Sequence, residues 1–186
     1  MRAMWLIARR ELGAYLRTMT GYVIGAILLL VDGLLFQALA LGGPDKLSAE
    51  VLSLFFLYSS GLTVIASVFI SMRLLSEERQ TGTLVLLISS PVHDWEIVLG
   101  KFLSAFLFLA MVLTISVYMP LLIFVNGKIS LGHLVAGYTG LLLIGASGLA
   151  IGTFGSSLAR TQVLAAIFSG CMTTAMVVIW MLAKVT

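Results

Sequence analysis

Apolar residues gather into five long runs along the chain, with shorter polar stretches between them. A helix that crosses the hydrocarbon core needs about 20 predominantly apolar residues. Runs of that length with at most one charge occupy 21–41, 51–72, 102–125, 134–158 and 163–183, and each predicts a transmembrane helix. Two segments break the pattern. Residues 1–19 are too polar to cross, yet at about 100° per residue Met1, Trp5, Ala8, Leu12, Tyr15 and Leu16 share one side, with Arg2, Arg9, Arg10 and Arg17 on the neighbouring arc. This predicts a helix in the membrane interface, its stripe in the acyl boundary and its arginines at lipid phosphates. The alternative is a basic tail of no fixed structure.

The second exception is 73–101, whose apolar run from Leu84 to Ile88 is too short to span. Gly82 can end a helix before that run. Ser90 and Pro91 offer a cap and a first helical position for the next one, with Asp94 as a second candidate cap. The segment reads as short helix, turn, short helix, then third span. Pro120 predicts a kink near the outer end of that span.

The predicted fold is therefore all-α: a polytopic membrane helix bundle of five transmembrane helices. An amphipathic interface helix at 1–19 precedes a transmembrane domain at 20–186. Composition agrees, with 60% hydrophobic and 10% charged residues and a mean hydropathy of +1.12. Ordinary soluble proteins carry about 25% charged residues, so a water-soluble fold is excluded. The single Cys171 excludes an intrachain disulfide. The first span is too long for a cleaved signal peptide, and is read as retained.

Lys and Arg set the expected orientation, because loops rich in them stay in the cytoplasm. Arg2, Arg9, Arg10, Arg17, Arg73, Arg79, Lys101 and Arg160 fall on one side, and Lys46, Lys128 and Lys184 on the other. The N-terminus is placed in the cytoplasm, and five crossings place the C-terminus outside. The net charge of +3 is then a topology signal, and no nucleic-acid partner is expected.

The string Glu77-Glu78, Gly82-Thr83-Leu84, Leu87, Ser90-Pro91-Val92 and Glu96-Ile97-Val98-Leu99-Gly100-Lys101 resembles the signature of the ABC type-2 export permease family. The start, Arg10-Glu11-Leu12 through Tyr15 to Gly21-Tyr22-Val23, resembles the same family. The closest likeness is to gliding-motility-associated permease subunits. The resemblance implies a subunit of an ATP-driven exporter in the cell inner membrane, in which two permeases, as homodimer or heterodimer, form the path through the lipid bilayer. Separate ABC ATPase subunits dock beneath and carry the ATP and Mg. A coupling helix in the first cytoplasmic loop sits in a groove on the ATPase. Carried over, Glu77, Glu78, Arg79, Gly82 and Thr83 lie at that contact, and the interface helix with Trp5, Arg9, Arg10 and Glu11 packs beside it. The family usually has six spans with both termini in the cytoplasm. Five here mean a truncated product or a natural variant.

Nucleotide binding by this chain is not expected. A phosphate-cradling loop needs Gly-x-x-x-x-Gly-Lys and then Ser or Thr. Gly100-Lys101 has Trp95 at the earlier Gly position and Phe102 after it; Gly127-Lys128 has Leu122 and Ile129. His93, Asp94 and Glu96 match no metal motif; capping and the helix dipole explain the acids, and no metal is expected. His133 reads as a loop residue.

Asp32 lies mid-span, where a charge costs roughly 2.5–3.5 kcal/mol on insertion scales. It belongs either to a substrate or proton path or to a buried hydrogen bond between helices. Gly148 and Gly152 allow close helix approach, within one subunit or at a dimer face. Two rival functions are an intramembrane enzyme, which would need convergent reactive groups at one depth, and a non-transporting membrane scaffold. Neither the cargo nor any catalytic residue is declared by the sequence.

Overall fold

The computed structural model describes residues 2–41, 48–83, 92–123 and 131–185. Among them there is no strand. Helix α1 (Arg2–Arg17) turns at Thr18 into α2 (Met19–Leu41), followed by α3 (Ser48–Ser71) and the short α4 (Ser76–Thr81). Then come α5 (Asp94–Ser116), α6 (Tyr118–Ile123), α7 (Leu131–Leu158) and α8 (Gln162–Val185). Among the described residues, five helical stretches are long and apolar enough to cross a membrane, with α5 and α6 together making the third. The broad apolar faces that α2 and α8 leave exposed, such as Leu30 and Ile179, suit lipid rather than water.

Central α3 is packed by α2, α5, α7 and α8. Its contact with α7 is close because small residues face each other: a Cβ at Gly148 would collide with Ser67 Oγ, and one at Gly152 with Ser71 Oγ. Lipid supplies no hydrophobic drive between helices, so backbone approach and van der Waals contact must hold them. The hydroxyls at this seam bond within their own helix, Thr63 to Ser59 O at 2.8 Å, Ser67 to Val64 O at 2.7 Å and Ser71 to Val68 O at 3.1 Å. Asp32 of α2 is buried and accepts a hydrogen bond from Ser59 Oγ of α3 at 2.8 Å. Its carboxyl thus joins two helices, whatever else it does.

The third span is interrupted at Val117, between α5 and α6. Pro120, fully buried, has no N–H to give the carbonyl of Ser116 one turn back. Three expectations are corrected. His133, read as a loop residue, stands in the first turn of α7. Asp94 is not a cap: it is the first helical residue, His93 occupies the cap position, and no side-chain cap bond is made. Asp94 and Glu96 instead stand in the first turn, where the helix dipole favours acids.

The apolar stripe of α1 does not lie wholly in an acyl boundary either. Ala8 and Tyr15 are buried and Leu12 packs on the core, while Trp5 and Leu6 are exposed. The cause is α5, which α1 crosses at Gly100; a Cβ there would stand 2.9 Å from Met4 O and 3.0 Å from Ile7. The bundle therefore takes most of the stripe. The run Leu84 to Ile88, with Ser90 and Pro91, lies outside the described residues.

Candidate functional site

Helix α4 is short, and its ends explain where it starts and stops. Glu77 and Glu78 occupy its first turn and Arg79 its last, the order the helix dipole favours. It stops at Gly82, whose φ of 73° is left-handed, with the Gly82 N–H reaching Arg79 O at 3.4 Å. A residue without Cβ takes that conformation at no steric cost. The other end has no cap of its own, because Leu75 stands in the cap position. The missing acceptor comes from α7: Ser156 Oγ receives the N–H of Leu75 and of Ser76, each at 3.0 Å.

Around α4 the charges form a junction of three helices. Lys101 of α5, only 4% exposed, places Nζ 2.8 Å from Glu78 Oε1 of α4 and 3.6 Å from Glu11 Oε1 of α1. Arg10 Nη2 also reaches Glu11 Oε1 at 3.2 Å. Arg73, just before α4, grips Glu77 with two bonds, Nε to Oε2 at 2.9 Å and Nη2 to Oε1 at 3.0 Å. Tyr15 of α1 donates its hydroxyl to Ile70 O of α3 at 3.2 Å and stacks on Phe108 of α5 with ring centres 5.0 Å apart. Burial pushes the Tyr15 phenol above its ordinary range, against the opposing pull of the Arg73 guanidinium. These groups line an open cavity of about 290 Å³. Glu78 Oε2 is buried beside it with no hydrogen-bond partner among the described residues.

The sequence-derived candidates divide accordingly. Glu77, Glu78, Glu11 and Arg10 enter the junction, whereas Arg79 and Gly82 stand on an exposed edge; Thr83 is exposed as well but lines the junction's cavity. Arg9 and Trp5 are exposed on the far side of α1. Asp32, Gly148 and Gly152 are elsewhere, within the span-to-span contacts. Sequence reasoning missed Lys101 as the centre of the junction, and also Arg73, Tyr15 and Ser156. A lysine at the mouth of an apolar span, with glutamates in both polar segments, was the available signal for the first. Nothing in the sequence singles out Ser156. Among the described residues, no three His, Cys, Asp or Glu side chains come together as metal ligands.

Five span-forming helices with a charged junction at one end of the bundle define a multi-pass membrane protein. More narrowly, the chain belongs to the ABC-2 transporter family, matching the family described as "ABC-2 family transporter protein" over residues 5–185. It is a membrane permease component of an ABC transporter. No curated protein matches it.

Proposed function

We propose that this chain is the permease subunit of an ATP-binding cassette exporter, coupled through α4 to separate cytoplasmic ATPase subunits and working as a dimer of permeases. The N-terminus and α4 face the cytoplasm of an inner membrane, and ATP and Mg are held by the ATPase. One observation carries the reading. Helix α4 is anchored at its start, where Leu74, Leu75 and Ser76 are buried, and exposed from Arg79 to Thr83. A short helix fixed on one side and open on the other can be pushed without bending. Closure of an ATPase dimer displaces it together with α1, which Lys101 ties to it, and the spans switch access. The motor can shift that equilibrium only by the difference in its affinity for the two states.

The test is co-expression with the ABC ATPase encoded nearest this gene, followed by purification through a tag on the permease. The wild-type chain should bring down the ATPase with ATP hydrolysis. Arg79→Glu and Gly82→Trp, still inserted, should lose it. Equal recovery of the ATPase by wild type and both variants would overturn the assignment of α4.

A further inference from the structure

We infer that Ser156 is a positioning residue that passes the displacement of α4 to the fourth and fifth spans. The inference rests on the reading of α4 as the ATPase contact, and adds the route by which its motion enters the bundle.

Ser156 is fully buried near the end of α7. Its Oγ accepts the N–H of Leu75 and the N–H of Ser76, both at 3.0 Å, and donates to Met72 O at 3.3 Å. A serine hydroxyl has one proton to give and two lone pairs to receive with. All three capacities are spent on one corner of the chain, where α3 becomes α4. Helix starts leave backbone N–H groups without partners, and with Leu75 in the cap position α4 supplies no side chain to satisfy them. If α4 moved without α7, two buried N–H groups would lose their acceptor together. Unpaired buried donors are costly, so the corner and the end of α7 move as one body.

The same stretch of α7 is wedged against its neighbours. One turn earlier, Gly152 accepts a hydrogen bond at its carbonyl from Ser169 Oγ of α8 at 3.4 Å. A Cβ at Gly155 would stand 3.1 Å from the Ser169 backbone nitrogen. The corner, α7 and α8 therefore meet without room for independent play. A push on α4 enters α7 at Ser156 and reaches α8 at Ser169, beside the smaller direct contact of α4 with α8.

The experiment uses the permease with its partner ATPase in lipid nanodiscs. Spin labels replace exposed Val135 of α7 and Leu34 of α2 in a Cys171→Ser background, and their distance is measured with and without ATP and vanadate. Wild type should show an ATP-driven shift. Ser156→Ala should lose most of it while the ATPase stays bound and hydrolyses ATP, and Ser156→Thr, which keeps the hydroxyl, should restore it. In the permease alone, Ser156→Ala should speed amide exchange at Leu75 and Ser76 by about fivefold or more, the loss expected for hydrogen bonds of ordinary strength. Ser156→Gly, which also removes the acceptor, should change both readouts in the same direction and serves if Ser156→Ala does not insert.

A wild-type shift in Ser156→Ala, unaltered exchange at the corner, failure of Ser156→Thr to restore the shift, or no ATP-driven shift in wild type would each overturn the role of Ser156. An ATPase that never co-purifies with wild type is a different result: it removes the proposed function, and this inference with it.

Discussion

Lys101 shows what a single side chain does at the mouth of a span. Its ammonium lies between two carboxylates from segments far away in sequence, and all three are mostly out of water, with side-chain exposures of 5%, 12% and 19% for Lys101, Glu78 and Glu11. Breaking a buried ion pair by removing one partner costs roughly 3–5 kcal/mol, because the remaining charge is stranded. Lys101→Met keeps the stem and deletes the charge. It should lower the melting temperature in detergent by an amount corresponding to about 3 kcal/mol, and adding Glu11→Gln and Glu78→Gln should recover most of the loss. A Lys101→Met protein that melts with wild type would show the pairs to be idle. The neighbouring Gly100 has a separate task, leaving space for the α1 backbone. The Gly-Lys pair that fails as a nucleotide loop is thus accounted for by packing and charge.

At the scale of elements, α4 depends on both its ends. Gly82 holds a left-handed φ with nothing within 4 Å of where a Cβ would stand, so any penalty for a side chain there is conformational. Left-handed backbone costs a non-glycine residue roughly 1–2 kcal/mol, and Asn bears it best. Gly82→Ala should accelerate amide exchange across 76–81, and Gly82→Asn should do so less; equal exchange in both would mean that the turn does not hold the helix end.

The elements differ in how far the sequence exposes them. Lengths of the spans are legible because lipid sets a minimum apolar run, and observed α2, α3, α7 and α8 begin or end within a few residues of the apolar runs. The start of α5 is not legible, since Ser90-Pro91 and Asp94 all carry cap chemistry and the helix begins at Asp94 with His93 in the cap position. The stripe of α1 has the right period for an interface helix, but a period cannot say whether lipid or protein covers it. Gly82 is legible as a stop from its residue type alone, while the cap of α4 comes from Ser156, some eighty residues onward, and no local pattern could announce it.

For the molecule as a whole, the charge asymmetry of the loops yields a prediction independent of any partner. With Cys171→Ser as background, a cysteine at Thr83 should resist a membrane-impermeant maleimide added to intact cells, and one at Lys128 should react. The reverse labelling would invert the bundle and take α4 out of reach of any cytoplasmic ATPase. The charged junction follows the same logic at larger range. Glu11, Glu78 and Lys101 are each visible as charges in polar segments or at a span edge, but only the crossing of α1 over α5 brings them to one point.

The seam between α3 and α7 has a further consequence. Its hydroxyls are satisfied by carbonyls of their own helix, and Ser67 and Ser71 lodge in the notches left by Gly148 and Gly152. A lengthwise slip would strip no polar group of its partner, yet it would drive both serines against the side chains that flank those glycines, so the two rods keep their register by shape alone.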